Sequence, residues 1–263
     1  MKQRILTAIA AFVIFIPFVV IGGTAFNVLV YLLASIALLE LVRMRRTMSF
    51  FPIIAAVIGL WLIMLPGSAD FLETFHKTEM ITVLALLLLA YTVLSKNTFT
   101  FDDAGFVLLT VIYVGMGFFY LMVTRDGTGV TGLTNIFYVL LVIWTTDIGA
   151  YFCGRTLGKH KLWPEISPNK TIEGAAGGVI LSVIVGIVFH IVFPFSYGMI
   201  TVIMVTILTS AAGQIGDLVE SAYKRHYDVK DSGKILPGHG GILDRLDSLV
   251  FVLPLLHVIQ FFA

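Results

Sequence analysis

Between Asp217 and Ser248 the chain reads DLVESAYKRHYDVKDSGKILPGHGGILDRLDS, where carboxylates, basic side chains and a glycine-rich turn lie together. On a helix, Asp217, Ser221 and Lys224 fall at spacings of four and three and share one face. The run KDSGKILPGHGG follows, with basic residues on both sides. Glycine admits backbone conformations in which successive N–H groups point at one anion. Asp244 and Asp247 come next, three apart at the start of the last apolar segment, again on one face. Acidic groups near a helix N-terminus are favoured by the helix dipole, so helix-end stabilisation alone would account for that pair. A basic loop resting on anionic headgroups would likewise account for the Lys and Arg. It would not account for the carboxylates beside them. Mg²⁺ takes hard oxygen ligands, usually one or two protein carboxylates together with substrate phosphates and water. Lys and Arg neutralise phosphate oxygens, Arg in a bidentate fork. The combination is what a magnesium–polyphosphate site requires.

Two more acidic residues interrupt apolar segments. Asp147 stands in WTTDIGAY, just before a basic stretch over 153–173. A carboxylate within hydrocarbon costs about 2.5–3.5 kcal/mol on insertion scales, so it should face a bundle interior or a wet cavity. Glu40 sits one turn from Arg43, and a helix-end ion pair suffices to explain it. His190 and His257 lie in apolar segments as packed or interhelical hydrogen-bonding groups. Cys153, the one cysteine, rules out an intrachain disulfide and reads as a small packed residue. Gly174 and Gly178, with Ala175, Ala176 and Gly177 between them, fit close helix packing. The chain has no G-x-x-x-x-G-K-[ST] run and no Cys/His spacing suited to zinc.

Ser221-x-x-Lys224-Arg225, then Lys230-Asp231-x-Gly233, then Leu236-Pro237-x-His239-Gly240-Gly241-x-x-Asp244-Arg245-x-Asp247 resembles the full signature of the phosphatidate cytidylyltransferases, or CDP-diacylglycerol synthases. Asp147-x-Gly149-Ala150-Tyr151 and Ser167-Pro168-Asn169-Lys170-Thr171-x-Glu173-Gly174 resemble the family's two other motifs, with Asn169 where members often carry Lys. The resemblance implies an all-helical membrane enzyme, often dimeric, that joins CTP and phosphatidate to give CDP-diacylglycerol and pyrophosphate with Mg²⁺. It implies a catalytic set of Lys224, Arg225, Lys230, Asp231, His239 and Arg245. Substrate contacts would come from Asp147, Ser167, Asn169, Lys170, Thr171, Ser221, Gly240 and Gly241. Metal ligands would be Asp217 and Asp244, expected to meet at one depth, with Asp247 one turn deeper as a third. The chemistry agrees with the residues. The nucleophile would be the lipid's own phosphate, largely ionised at neutral pH, so no strong general base is needed. Catalysis would consist of positioning and charge neutralisation as two anions meet. Two cations bridging the attacking and leaving oxygens would suit it best, so Mg²⁺ with a second cation is the expected cofactor set.

The elements that must position these residues are membrane helices. Of 263 residues 58% are hydrophobic and only 13% charged, about half the usual share for a soluble domain, and the mean hydropathy is +0.98. Bilayer-spanning helices need about 20 mostly apolar residues. Nine candidates run over about 5–23, 24–42, 51–66, 80–95, 104–123, 134–152, 174–194, 199–219 and 246–262. The first follows Lys2 and Arg4 and is read as a retained helix, not a signal peptide. With the amino terminus cytoplasmic, 15 of the 17 basic residues, from Lys2, Arg4, Arg43, Arg45 and Arg46 onward, fall in cytoplasmic segments. Only Lys77 and Arg125 fall outside, as the positive-inside rule asks. The expected fold is therefore an all-α polytopic protein of the cell membrane whose site faces the cytoplasm. Residues 1–133 serve as scaffold helices and 134–263 as catalytic helices with charged loops, in one membrane domain.

CTP, phosphatidate, the bilayer and a second copy are the expected partners; nucleic acid is not. A cation transporter would instead string its acids across the bilayer, and a basic loop would repel its cargo. A related CTP-dependent enzyme acting on a polyprenol or an ether lipid is the nearer alternative, one that sequence separates poorly.

Overall fold

The computed structural model describes residues 2–45, 49–65, 76–127 and 130–262, and every expected apolar segment within them is helical. In chain order the helices are α1 (Lys2–Ile21), α2 (Gly23–Met44), α3 (Phe50–Ile63), α4 (Lys77–Leu94), α5 (Phe101–Asp126), α6 (Val130–Leu157), α7 (Ile172–Val192), α8 (Met199–His226) and α9 (Leu243–Val258). Arg46 and the expected end of the third span at Pro66 lie outside the described residues. By length and composition six helices can cross a bilayer: α2, α4, α5, α6, α7 and α8. Against the expectation of nine spans, the described residues hold nine helices, of which these six are long and apolar enough to cross. At about 1.5 Å per residue, the 14 residues of α3 and the 16 of α9 fall short of a hydrocarbon core about 30 Å thick.

One element departs from the expected all-helical fold. The stretch after α6 folds into an antiparallel hairpin, β1 (Lys161–Trp163) with β2 (Ser167–Thr171), pairing Lys161 with Thr171 and Trp163 with Ser167. Pro164 and Glu165 form its turn, with Ile166 N donating to Trp163 O. In a two-stranded ribbon each strand has one open edge, the setting in which a strand tolerates Pro168. Thr171 then caps α7, its side chain accepting from Gly174 N at 3.1 Å.

The chain divides into two compact units: Met1–Val123 with Val229–Arg245, and Thr124–Asp228 with Leu246–Ala263. In the first, small residues let helices approach. A Cβ on Gly59 would stand 2.7 Å from Leu84 Cδ2, and one on Gly115 would stand 3.2 Å from Ile63 Cγ2. Polar ends are tied off locally. Arg45 pairs with Asp103 at 2.5 Å, while Lys77 donates to the carbonyls of Ile63 and Leu65 and lies over the Phe119 ring.

The second unit is held by interhelical hydrogen bonds within an apolar core. Tyr138 Oη and Thr206 Oγ1 lie 2.7 Å apart, Thr146 Oγ1 donates to Ser210 Oγ at 2.8 Å, and Ser248 Oγ donates to Gly213 O at 2.9 Å. His257 Nε2 meets Thr124 Oγ1 at 2.8 Å, the interhelical role expected of it. His190 instead accepts from the nearby Phe195 N. The closest seam joins α6 and α7. There Gly149 faces Gly177 and Gly178, and Cys153 is half-buried against Gly177.

Candidate active site

Helix α8 continues for 28 residues, about 42 Å, longer than a hydrocarbon core of about 30 Å. This continuation was the condition for Asp217, Ser221 and Lys224 to share a face. Ser221 Oγ duly donates to Asp217 Oδ1 at 3.4 Å. Asp217 Oδ2 is paired with Lys170 Nζ of β2 at 2.6 Å. The hairpin thus delivers an expected substrate contact to an expected metal ligand. Lys224 Nζ is held at 2.7 Å by Glu220, four residues earlier and buried. Glu220 had no place in the expected site, although Glu-x-x-x-Lys at helical spacing announces the pair. Asp247 on α9 is buried and within electrostatic range of Asp217, Lys224 and Asp147.

The four carboxylates Asp147, Asp217, Glu220 and Asp247 stand against two ammonium groups, Lys170 and Lys224. Among the described residues no three His, Cys, Asp or Glu groups converge closely enough to hold a metal unaided. Carboxylate oxygens are the hard donors that Mg²⁺ takes, usually one or two beside substrate phosphates and water. Arg225 is exposed and donates from Nε to the hairpin carbonyl Ile166 O at 3.3 Å. Of the remaining expected contacts in this unit, Ser167 opens β2 and Asn169 is exposed. Thr171 is buried as the α7 cap, its hydroxyl taken up by Gly174 N.

The first unit carries the rest of the signature. Beyond α8, Asp228 at φ 52° closes the second unit's segment, and the first unit resumes at Val229. Leu236-Pro237-Gly238-His239 then forms a tight turn in which His239 N donates to Leu236 O at 2.8 Å. Gly238 has φ 77°, as the third position of a type II turn requires, and Pro237 fits the second. Leu236 N donates to Gly240 O at 2.9 Å and Arg245 Nε to His239 O at 3.1 Å, closing the loop. A cavity of about 540 Å³ opens here, lined by Lys230, Asp231, Lys234, His239, Gly240 and Arg245 among others. His239 Nδ1 is buried there with no hydrogen-bond partner among the described residues. Asp244 Oδ2 accepts from Ser232 N, Ser232 Oγ and Gly241 N, each at 2.8 Å, so this acid organises the loop directly.

The sequence of the whole chain matches the model of the cytidylyltransferase family over residues 2–262. The chain belongs to the cytidylyltransferase family. It is 50% identical over 260 residues to the phosphatidate cytidylyltransferase of Bacillus subtilis (strain 168), covering 98% of this chain and 96% of that one. It is 52% identical over 260 residues to the phosphatidate cytidylyltransferase of Staphylococcus haemolyticus, covering 98% of each. For a family member, the residues of the signature fall in both units. Asp217, Ser221, Lys224, Arg225 and Asp247 belong to the second, while Lys230, Asp231, His239, Gly240, Gly241, Asp244 and Arg245 belong to the first.

Glu40 is the residue whose surroundings differ most from expectation. It is 6% exposed, and its carboxylate accepts from Ile242 N and Leu243 N, each at 3.0 Å, and from Ser232 Oγ at 3.1 Å. Arg43, its expected partner, is exposed, and no ion pair joins them among the described residues. Burial decides this. The three donors satisfy a carboxylate away from water, whereas pairing with an exposed Arg43 would leave them unsatisfied.

Arg225 supplies a test at this point. With Nε engaged by the hairpin, the planar fork can still present its other donors to a phosphate. Arg225→Lys keeps the charge and loses the fork. Turnover is expected to fall about tenfold or more while the protein stays folded, measured as CDP-diacylglycerol formation. Near-wild-type turnover would reduce Arg225 to a surface charge.

Proposed function

We infer that the protein is a phosphatidate cytidylyltransferase, forming CDP-diacylglycerol and pyrophosphate from CTP and phosphatidate for phospholipid synthesis. The observation that carries this reading is about 50% identity, across 98% of the chain, to proteins of that name. The phosphatidate phosphate oxygen attacks the α-phosphorus of CTP. A P–O bond forms to the lipid as the bond to the β-phosphate oxygen breaks, and pyrophosphate leaves. Lys230, Lys234 and Arg245 border a cavity in the size range of small-molecule sites, with the orphaned His239 Nδ1 as a further polar contact. Lys170, Lys224 and Arg225 provide positive charge in the other unit, where two anions must be brought together. Mg²⁺, held by one or two of the candidate ligands Asp217, Asp244 and Asp247 together with substrate phosphates and water, would neutralise charge developing on the transferring and leaving phosphates. No protein base is required, because the attacking phosphate is already ionised.

The same reading places nine membrane-associated helices with the amino terminus and both charged loops on the cytoplasmic side of the cell membrane, in a homodimer. The test begins with purified protein, CTP, Mg²⁺ and lipids. Phosphatidate should yield one pyrophosphate per CDP-diacylglycerol, while polyprenyl phosphate and ether-lipid substrates should yield far less. Release of no pyrophosphate with any lipid would favour a transporter. Orientation is read in sealed cells with single cysteines in a Cys153→Ser background. Lys159→Cys should react only with reagents that reach the cytoplasm, and labelling from outside would reverse the topology.

A further inference from the structure

The loop between α8 and α9 is organised twice, once by a local acid and once by a distant one. Asp244 already gathers Ser232 and Gly241 N from within the loop. Glu40 comes from α2, 202 residues before Ile242, and takes the N–H groups of Ile242 and Leu243 at the start of α9. First-turn N–H groups have no partner within their own helix, and a nearby Ser, Thr, Asp or Asn satisfies them at little cost. A buried carboxylate is a costly alternative unless fully hydrogen-bonded. What Glu40 adds is reach. It grips the Ser232 end and the Ile242–Leu243 end of the loop with one rigid group. The loop is shaped to admit it: a Cβ on Gly233 or on Gly241 would run into the Glu40 carboxylate.

We propose that Glu40 is a positioning residue for nucleotidyl transfer, its carboxylate fixing both ends of the loop that carries Asp231, His239 and Arg245. This rests on the reading of that loop as catalytic. Glu40 touches no substrate; it acts by holding the groups that do. Misplacement of a reacting group by about 1 Å can cost about 10²-fold in rate, so the clamp should be visible in kcat.

The test uses full-length protein in detergent, with each variant checked for monodispersity and melting temperature before kinetics. Glu40→Gln keeps the volume but turns an amide N–H toward a backbone donor. It is expected to lower kcat about 30- to 100-fold, with both KM values within about threefold and most of the melting temperature retained. Gly233→Ala presses a methyl group into the carboxylate without removing a donor or acceptor, and should lower kcat in the same way. Glu40→Asp added to Gly233→Ala makes room for the methyl group and should restore part of that kcat. A purely structural clamp would shift melting temperature alone. Wild-type kcat in folded Glu40→Gln, or in Gly233→Ala if the first does not fold, overturns the proposal. Wild-type protein assayed alongside separates the two readings. An inactive wild type overturns the functional reading and this inference with it, whereas an active wild type with unaffected variants overturns this inference alone.

Discussion

Asp217→Asn is expected to reduce CDP-diacylglycerol formation by on the order of 10³-fold, at every Mg²⁺ concentration, in protein that remains folded. The substitution is nearly isosteric and can still accept from Ser221, whose hydroxyl lies 3.4 Å from Oδ1. What it removes is charge. Lys170, now 2.6 Å from Oδ2, loses its counter-ion, and a divalent cation held there would lose a hard anionic ligand. An Asp217 that only oriented the true ligands would cost about 10- to 100-fold, an effect that would soften as Mg²⁺ is raised. The comparison with Asp244→Asn sharpens the test. An amide oxygen can still accept from Ser232 N and Gly241 N, so a purely loop-organising Asp244 would tolerate Asn with most of its turnover. Loss of activity in both variants, with melting temperatures close to wild type, is the result expected of two metal ligands. Wild-type turnover with an unchanged Mg²⁺ requirement in either variant would remove that residue from the site.

The helices were legible because hydropathy acts through segments longer than any single contact. Each apolar run became a helix, and α8 stays helical through Asp217, Ser221 and Lys224 to His226, as their spacing asked. Span number was less legible. A run such as Phe50–Ile63 is apolar throughout yet only 14 residues long, and hydropathy does not fix its path. The hairpin at Lys161–Thr171 was hidden because its strands are three and five residues long, one of them holding Pro168, with no alternating pattern to announce them.

Within the site, residue types were legible and partners often were not. Glu40 has Arg43 one turn away, and sequence spacing offered that pair. Its actual donors lie 192 to 203 residues downstream, brought in by a loop whose glycines leave room for a carboxylate. The glycines were visible as a phosphate-type loop, and their second role, as space for Glu40, depends on tertiary structure. Glu220 is the opposite case. Its ion pair with Lys224 is local and could be read from helical periodicity alone. Lys224 is therefore one half of a largely buried pair and not an isolated cation.

The α6–α7 seam carries the other large expected effect. Asp147 stands on α6 and Lys170 on the hairpin that leads into α7, so their placement depends on how closely these two helices pack. Lipid chains are as apolar as leucine, and helices in a bilayer associate through close contact of small residues. A Cβ on Gly178 would lie 2.7 Å from Thr146 O and 3.3 Å from Ala150 Cβ, and one on Gly149 would lie 2.9 Å from Gly177 O. The obstacle at Gly178 is a helix carbonyl, which cannot rotate aside as a flexible side chain would. Gly178→Leu must force the helices apart, with an overpacking cost of about 1–3 kcal/mol or more. For a chain of this size that is a fall in melting temperature of roughly 5 °C or more, with activity lost in parallel. Ile180, on the same helix and 63% exposed, is the control: Ile180→Leu should change neither. Thermal unfolding in detergent, followed by size-exclusion recovery and by CDP-diacylglycerol formation, makes the comparison. A melting temperature for Gly178→Leu within about 1 °C of wild type would mean that α6 and α7 are not held by this seam.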